Sequence, residues 1–355
     1  MKKIQVLVAA AALVAIFVLS GCGRNENVIR VFNWGDFLDE SILAEFTAET
    51  GIRVIYSTYA SNEEMYTRIT AGGAQGGGFD LLFPSDYMIE RLILENRLSP
   101  INFDNIPNMV YVHERFKNLA FDPENRYSVP YKWGTLGILY NRTLVDEIAP
   151  GLDVATWDVM FDERFAGSIF MYDSMRDSFA VALIRLGYSI NTQDLRELTA
   201  ARDMLIAQRP LVRAFLGDQV KDAMIGREAA LALVFSGCAM FSMGENPELY
   251  YAITREGTNV WYDSMVIPAG ARNQEGAEAF INFMLRPDIA LRNTMFTGFA
   301  TTNAGALEMV PQEWRDNPAF WTTDEDYYAG EVFLHLGDFN DQFERFWIEV
   351  LAARP

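Results

Sequence analysis

Cysteine and histidine are nearly missing from this 355-residue chain, with two of each: Cys22 and Cys238, His113 and His335. Both histidines stand alone, without the neighbouring ligands at fixed spacing that a structural zinc requires, and no Ser-His-Asp arrangement is indicated. No metal, cofactor or catalytic group is called for. Positive charge is scarce too, since 29 Lys and Arg face 48 Asp and Glu for a formal net charge of −19. A field of that sign repels nucleic acid and anionic headgroups and draws in small cations. No apolar run is comfortably long enough to span a membrane, and neither a solenoid-length repeat nor a low-complexity tract is present. The glycine cluster Gly72-Gly73-Ala74-Gln75-Gly76-Gly77-Gly78 lacks the Gly-Lys-Ser/Thr ending of a phosphate loop and reads as a flexible loop.

What is present begins at the N-terminus. Met1-Lys2-Lys3 leads into an apolar stretch, 6–18, and then Leu19-Ser20-Gly21-Cys22, which is the layout of a secretory signal. The last four residues resemble the lipobox of bacterial lipoproteins. That resemblance implies a signal peptide over 1–21, a lipid on Cys22, a short tether over 22–26, and an anchor on the outer side of a bacterial membrane. Cleavage would remove Lys2 and Lys3 and leave the mature chain more acidic still. Cys238 would then be the only thiol, so no internal disulfide can form. Its apolar surroundings, 231–241, mark it as a small buried hydrophobe.

Apolar periodicity predicts strands at 28–32, 52–56 and 79–83. They alternate with helices over 39–51, from a cap at Asn62 through Ile69, and over 88–95. The rhythm resumes with strands near 137–140 and 168–171 and helices near 173–186 and 194–208. A strand at 264–268 and a helix at 276–285 follow. Alternation of this kind predicts an α/β fold with largely parallel sheets in two lobes, and ligands bind beyond the carboxyl ends of such strands.

Trp34 and Asp36 fall just past the first predicted strand, and Ser85 and Tyr87 just past the third, where a ligand would be met. The triplet that holds Trp34 has a counterpart later in the chain. Trp34-Gly35-Asp36 and Trp261-Tyr262-Asp263 each place an indole and a carboxylate two residues apart, which on an extended strand puts both on one face. A ring face attracts an organic ammonium and a carboxylate accepts its hydrogen bonds, so two such grips suit a ligand that is positive at both ends. The same spacing occurs at Trp314-Arg315-Asp316 and Trp347-Ile348-Glu349, so spacing alone does not decide. Exported glycosidases and sugar-binding proteins use the same residue types, and Tyr250-Tyr251 suggests ferric-ion ligation except that neighbours on a strand point oppositely.

The stretch Val31-Phe32-Asn33-Trp34-Gly35-Asp36-Phe37 resembles the opening of the spermidine/putrescine-binding proteins of bacterial ABC importers. So do Gly51-Ile52-Arg53-Val54, Phe79-Asp80-Leu81-Leu82-Phe83-Pro84-Ser85, Val129-Pro130-Tyr131-Lys132-Trp133-Gly134 and Trp261-Tyr262-Asp263-Ser264-Met265. The resemblance implies a class II periplasmic-binding fold, with two α/β lobes, hinge crossovers and a ligand cleft. One lobe is expected over 27–132 plus 263–307 and the other over 133–262 plus 308–355. Carried over position by position, the ligand-binding residues would be Trp34, Asp36, Phe37, Ser85, Tyr87, Asp177, Phe235, Trp261, Asp263 and Phe299. Asp263 and Asp177 would hold one ammonium of putrescine or spermidine and Asp36 the opposite amine. An ABC permease and its ATPase are the implied partners. Gly35, Ser174, Phe235, Phe299 and the region of Phe333 depart from the family pattern toward fewer polar contacts, which favours the shorter diamine unless Asp86 or Asp173 substitutes.

Overall fold

The structure, a computed structural model, describes residues 27–71 and 75–353; the signal segment, Cys22 and the tether lie outside the described residues. The strands are β1 (Val28–Trp34), β2 (Arg53–Tyr59), β3 (Leu81–Leu82), β4 (Ser128–Asn141), β5 (Ile169–Tyr172), β6 (Val212–Leu216), β7 (Leu231–Phe235), β8 (Leu249–Ala252), β9 (Val260–Val266) and β10 (Ala300–Thr301). Their order is β2-β1-β3-β9-β4-β7-β5-β6, with β8 and β10 also paired to β4. Both flanks are parallel, β1 with β2 and β3, and β5 with β6 and β7. The centre is not. There β4 and β9 run antiparallel to each other and to their other partners, so the expectation of largely parallel sheets is corrected at the middle of the molecule. The chain passes between its two halves as extended strands, and each passage reverses direction.

The helices that matter here are α1 (Ser41–Thr50), α2 (Asn62–Thr70), α3 (Asp86–Leu94), α4 (Met175–Arg185), α5 (Leu195–Gln208), α6 (Val220–Ile225), α7 (Ser236–Glu245), α8 (Gln274–Met284), α9 (Pro287–Thr297) and α10 (Asn340–Ala352). Gly51 stops α1 in the left-handed region at φ 71°, a conformation glycine adopts without steric cost. The cap of α2 is Ser61, one residue before the predicted Asn62. Ser61 accepts the Glu64 N–H at 3.1 Å while the Glu64 carboxylate reaches back to the Ala60 N–H at 2.9 Å. Asn62 is thereby free for other bonds.

Strand β3 is two residues long where five were predicted. Pro84 lies beyond it, and at its start Asp80 turns inward to accept the N–H groups of Arg30, Arg272 and Asn273. By contrast β4 runs for fourteen residues, all buried, far beyond the predicted 137–140. Its polar Lys132 and its glycines hid it, and Pro130 falls at a register irregularity where no ladder N–H is required. Strand β9 starts at Val260, so the whole Trp-Tyr-Asp triplet lies inside it. The described part of the glycine cluster is a packed turn and not a flexible loop: Gly76, Gly77 and Gly78 have φ of 71°, 60° and 84°, with Gly76 close against Pro268.

Two cores flank the sheet. One gathers Phe32, Phe46, Phe83 and Phe280, and the other Trp157, Phe165, Phe179 and Phe343. Strand β4 serves both, giving Val129, Tyr131 and Trp133 to the first and Leu136, Ile138 and Tyr140 to the second. Cys238 is buried in α7, and burial pushes its thiol up to about 12, so it stays a protonated hydrophobe. Tyr250 is 45% exposed and Tyr251 7%, the opposite orientations expected of neighbours on β8.

Candidate functional site

Asp263 is at the centre of the region the sequence singled out. It sits on β9 directly opposite Lys132 of β4, and its side chain is 5% exposed. Ser85 donates to Asp263 Oδ1 at 2.6 Å, and the two residues also form an isolated antiparallel bridge. Burial raises the Asp263 carboxyl to about 7, against the lowering pull of the Ser85 hydroxyl. Two residues earlier on the same face, Trp261 packs edge-on against Phe235 at 5.8 Å and Phe299 at 5.6 Å. The rings continue from Phe299 to Phe37 at 4.9 Å and from Phe235 to Tyr172 at 4.8 Å, forming one file across both halves.

Asp177 lies in the first turn of α4, 6% exposed. Ser174 donates to its Oδ2 at 2.5 Å, while Oδ1 is buried without a hydrogen-bond partner. Burial raises this carboxyl to about 6, with the Ser174 hydroxyl and Arg176 pulling down. The two serines share a device. Ser85 and Ser174 occupy the N-cap positions of α3 and α4, yet neither side chain caps its helix. Each turns its hydroxyl onto a buried carboxylate instead.

Tyr87 completes this wall: its hydroxyl accepts from Asn62 Nδ2 at 3.1 Å and donates to Glu63 Oε1 at 2.9 Å. Its ring meets Phe333 at 6.4 Å and the Arg176 guanidinium at 5.9 Å. Asp86 does not stand in for a missing polar contact, because its oxygens accept the backbone N–H groups of Tyr87 at 2.7 Å and Tyr262 at 3.1 Å. It staples α3 to β9, and burial raises it to about 8. Asp173 is exposed.

The first triplet is arranged differently from the prediction. Trp34 is the last residue of β1, and Asp36 sits in the following turn at φ 51°, so the same-face argument holds for the second triplet and fails for the first. The Trp34 indole N–H donates to the Phe83 carbonyl at 2.8 Å and its ring tilts on Tyr59 at 4.7 Å. The Asp36 side chain is 80% exposed, with Lys221 Nζ 3.4 Å from its Oδ2. The other two Trp-x-acid triplets lie in or at the ends of helices, where this spacing separates the side chains.

Several contributors carry no signal in the sequence. Gly134 on β4 leaves room for Trp261, since a Cβ there would stand 2.5 Å from the indole. Gly237 on α7 does the same for Phe299, whose ring fills the place of its Cβ. Tyr172, Arg176 and Lys221 were also missed, as each reaches the site only through packing between distant segments.

Two α/β halves joined by paired crossing strands, with carboxylates and aromatic rings lining the seam, are the architecture of a binding protein for a small solute. The chain belongs to the bacterial extracellular solute-binding protein family, whose model matches residues 41–322. It is 32% identical over 354 residues to the spermidine/putrescine-binding periplasmic protein of Escherichia coli K12, with 100% of both chains covered. Among solved structures it resembles one from Listeria monocytogenes described as a spermidine/putrescine ABC transporter, with TM-score 0.87, 39% identity, and 92% of this chain and 100% of that one covered. It also resembles the spermidine/putrescine ABC transporter substrate-binding protein PotD of Streptococcus pneumoniae, with TM-score 0.80, 36% identity, and 92% and 99% covered. The fold is thus the two-lobed α/β solute-binding fold that the sequence led us to expect.

Proposed function

We propose that this protein captures putrescine or spermidine outside the cytoplasmic membrane and delivers it unchanged to an ABC permease and its ATPase. The observation that carries the reading is Asp263, a carboxylate buried beside Trp261 whose side chain, among the described residues, is bonded by the Ser85 hydroxyl. Relatives named for spermidine and putrescine support the ligand class. Taking an ammonium out of water costs several kcal/mol, so it needs closely placed carboxylates. Close charge pairs couple by roughly 1.5 to 7 kcal/mol and a desolvated cation over a ring gains about 2 kcal/mol, so the acids dominate and the rings refine. Asp263 and Asp177 hold one ammonium, Asp36 lies toward the other end, and Trp34, Phe37, Ser85, Tyr87, Phe235, Trp261 and Phe299 wall the spacer. Each methylene driven into that wall adds about 0.8 kcal/mol.

In this reading the lobes are 27–132 plus 263–307 and 133–262 plus 308–355, closing about β4 and β9. Cys22 carries the lipid that keeps the receptor near its permease. The test is titration of an Asp263→Asn variant. Binding of both amines should weaken by about a hundredfold, corresponding to about 2.7 kcal/mol. The melting temperature at pH 8 should stay equal to or above that of the wild type, because the substitution removes a buried charge. Unchanged affinity would contradict the assignment of Asp263.

A further inference from the structure

Asp36 presents its carboxylate from a backbone that a residue with a side chain rarely adopts, at φ 51°, and that side chain is 80% exposed. Such a conformation persists where its surroundings over-determine it. The hold comes from Asn293, in the second half of α9, which is 1% exposed and remote in sequence. The Asp39 N–H donates to Asn293 Oδ1 at 2.9 Å. Asn293 Nδ2 donates at 2.7 Å to the Tyr131 hydroxyl, which in turn donates to the Phe37 carbonyl at 2.8 Å. One amide therefore ties down the chain at residues 37 and 39, directly after Asp36.

The same helix end reaches the neighbouring ring of the wall. Lys132 Nζ lies 2.6 Å from Thr297 Oγ1 and 3.4 Å from the Phe299 carbonyl, and the Phe37 ring packs edge-on against Phe299 at 4.9 Å and Tyr131 at 5.6 Å. A buried asparagine that only filled space would leave nothing behind on replacement by an apolar residue. Here donor and acceptor are spent on two different segments, so replacement leaves buried groups unpaired. Resting on the polyamine reading, we infer that Asn293 is a positioning residue for the Asp36 end of the cleft, holding the turn over 36–39 at the angle from which the carboxylate meets an ammonium. It acts through the turn and not on the amine. The acids are thus set by different means: serine hydroxyls bond Asp263 and Asp177 directly, while Asp36 is placed by a brace from α9 on the backbone beside it.

The experiment is a double-mutant cycle on the mature chain, with Asn293→Leu and Asp36→Asn made singly and together. Each protein is titrated calorimetrically with putrescine and spermidine in turn, with thermal melts as the folding control. Asp36→Asn should weaken whichever amine the wild type binds by at least about tenfold, the scale of a lost hydrogen bond to a charged group. Asn293→Leu should weaken it by about tenfold when Asp36 is present and by less than about threefold once Asp36 is neutral, the coupling expected of groups that share one network. A merely structural loss would lower affinity equally in both backgrounds. Where Asn293→Leu melts early, Tyr131→Phe, which deletes only the hydroxyl on the Phe37 carbonyl, takes its place in the cycle with the same expectation. Equal losses in the two backgrounds, full affinity in the brace variant, or an Asp36→Asn protein that binds as the wild type does overturns the inference and leaves amine capture at Asp263 standing. A wild type that binds neither amine overturns both.

Discussion

Asp263, Asp177 and Asp86 are carboxyls that the fold holds against their preference, and the cost of doing so is visible in pH. Burial sets them at about 7, 6 and 8, well above the unfolded value of about 3.9 for aspartate. The folded protein therefore binds more protons than the unfolded chain between about pH 4 and 8, and ligand-free stability must fall as pH rises through that window. A bound ammonium acts in the opposite sense, since it favours the ionised acids. Putrescine affinity should accordingly drop by roughly a thousandfold between pH 8 and pH 5, the combined penalty for ionising Asp263 two units and Asp177 one unit below its pKa. Titration in buffers of different ionisation enthalpy should register protons released on binding near pH 6.5. Thermal melts across the same range should show the ligand-free midpoint falling as pH rises, and affinity that is flat from pH 5 to 8 would contradict this account. At this scale the pairing of Trp261 with Asp263 on one face was legible, because Trp-x-Asp on a strand has one geometric outcome, whereas Asp36 falls in a turn where that outcome does not apply. The sequence concealed Lys221 and the bond from Ser174 to Asp177, although position 174 itself stood out as a departure from the family pattern. A serine before a helix ordinarily reads as a cap, and Lys221 meets Asp36 only once two distant segments have packed.

The elements show why some bounds were readable and others were not. Helix α1 and its Gly51 stop follow from local pattern and backbone freedom, and so do α8, predicted at 276–285, and α5, predicted at 194–208. Strand β4 did not follow, because a buried lysine and a proline interrupt its apolar run, and only tertiary partners settle them. Lys132 finds Thr297 Oγ1 at 2.6 Å near the end of α9, with the Asn293 and Phe299 carbonyls at 3.4 Å. The glycines of the crossing elements carry a prediction of their own. Gly237→Ala on α7 sets a methyl into the Phe299 ring and must displace it from Trp261 and Phe37. Helix propensity itself favours Ala over Gly by about 1 kcal/mol, so overall stability should change little. Amine affinity should fall by about tenfold, as expected when one ring contact of about 1 kcal/mol and its packing are lost. Titration of the variant together with its tryptophan emission checks this, and an unshifted Trp261 signal with full affinity would count against the aromatic file as part of the wall.

At the scale of the whole molecule, the proposed reading makes the arrangement a switch between two lobes, in which the ligand favours closure by contacts that the open form lacks. The residues that meet at the seam come from every part of the chain: Asp36 with Lys221, Tyr87 with Phe333, Trp261 with Phe235 and Phe299. Architecture of this kind was foreseen through resemblance and not through periodicity, because no local pattern announces that two strands will carry the chain back and forth between halves. The acidity of the chain fits the same picture, since it draws small cations toward the cleft and keeps polyanions away. The measurement that bears most directly on the central claim is calorimetric titration of the mature chain, freed of carried-over ligand, with putrescine and spermidine in turn and maltose as a neutral control. The account predicts one-to-one binding of at least one amine and none of the sugar. Absence of heat with both amines, or binding of maltose, would contradict it.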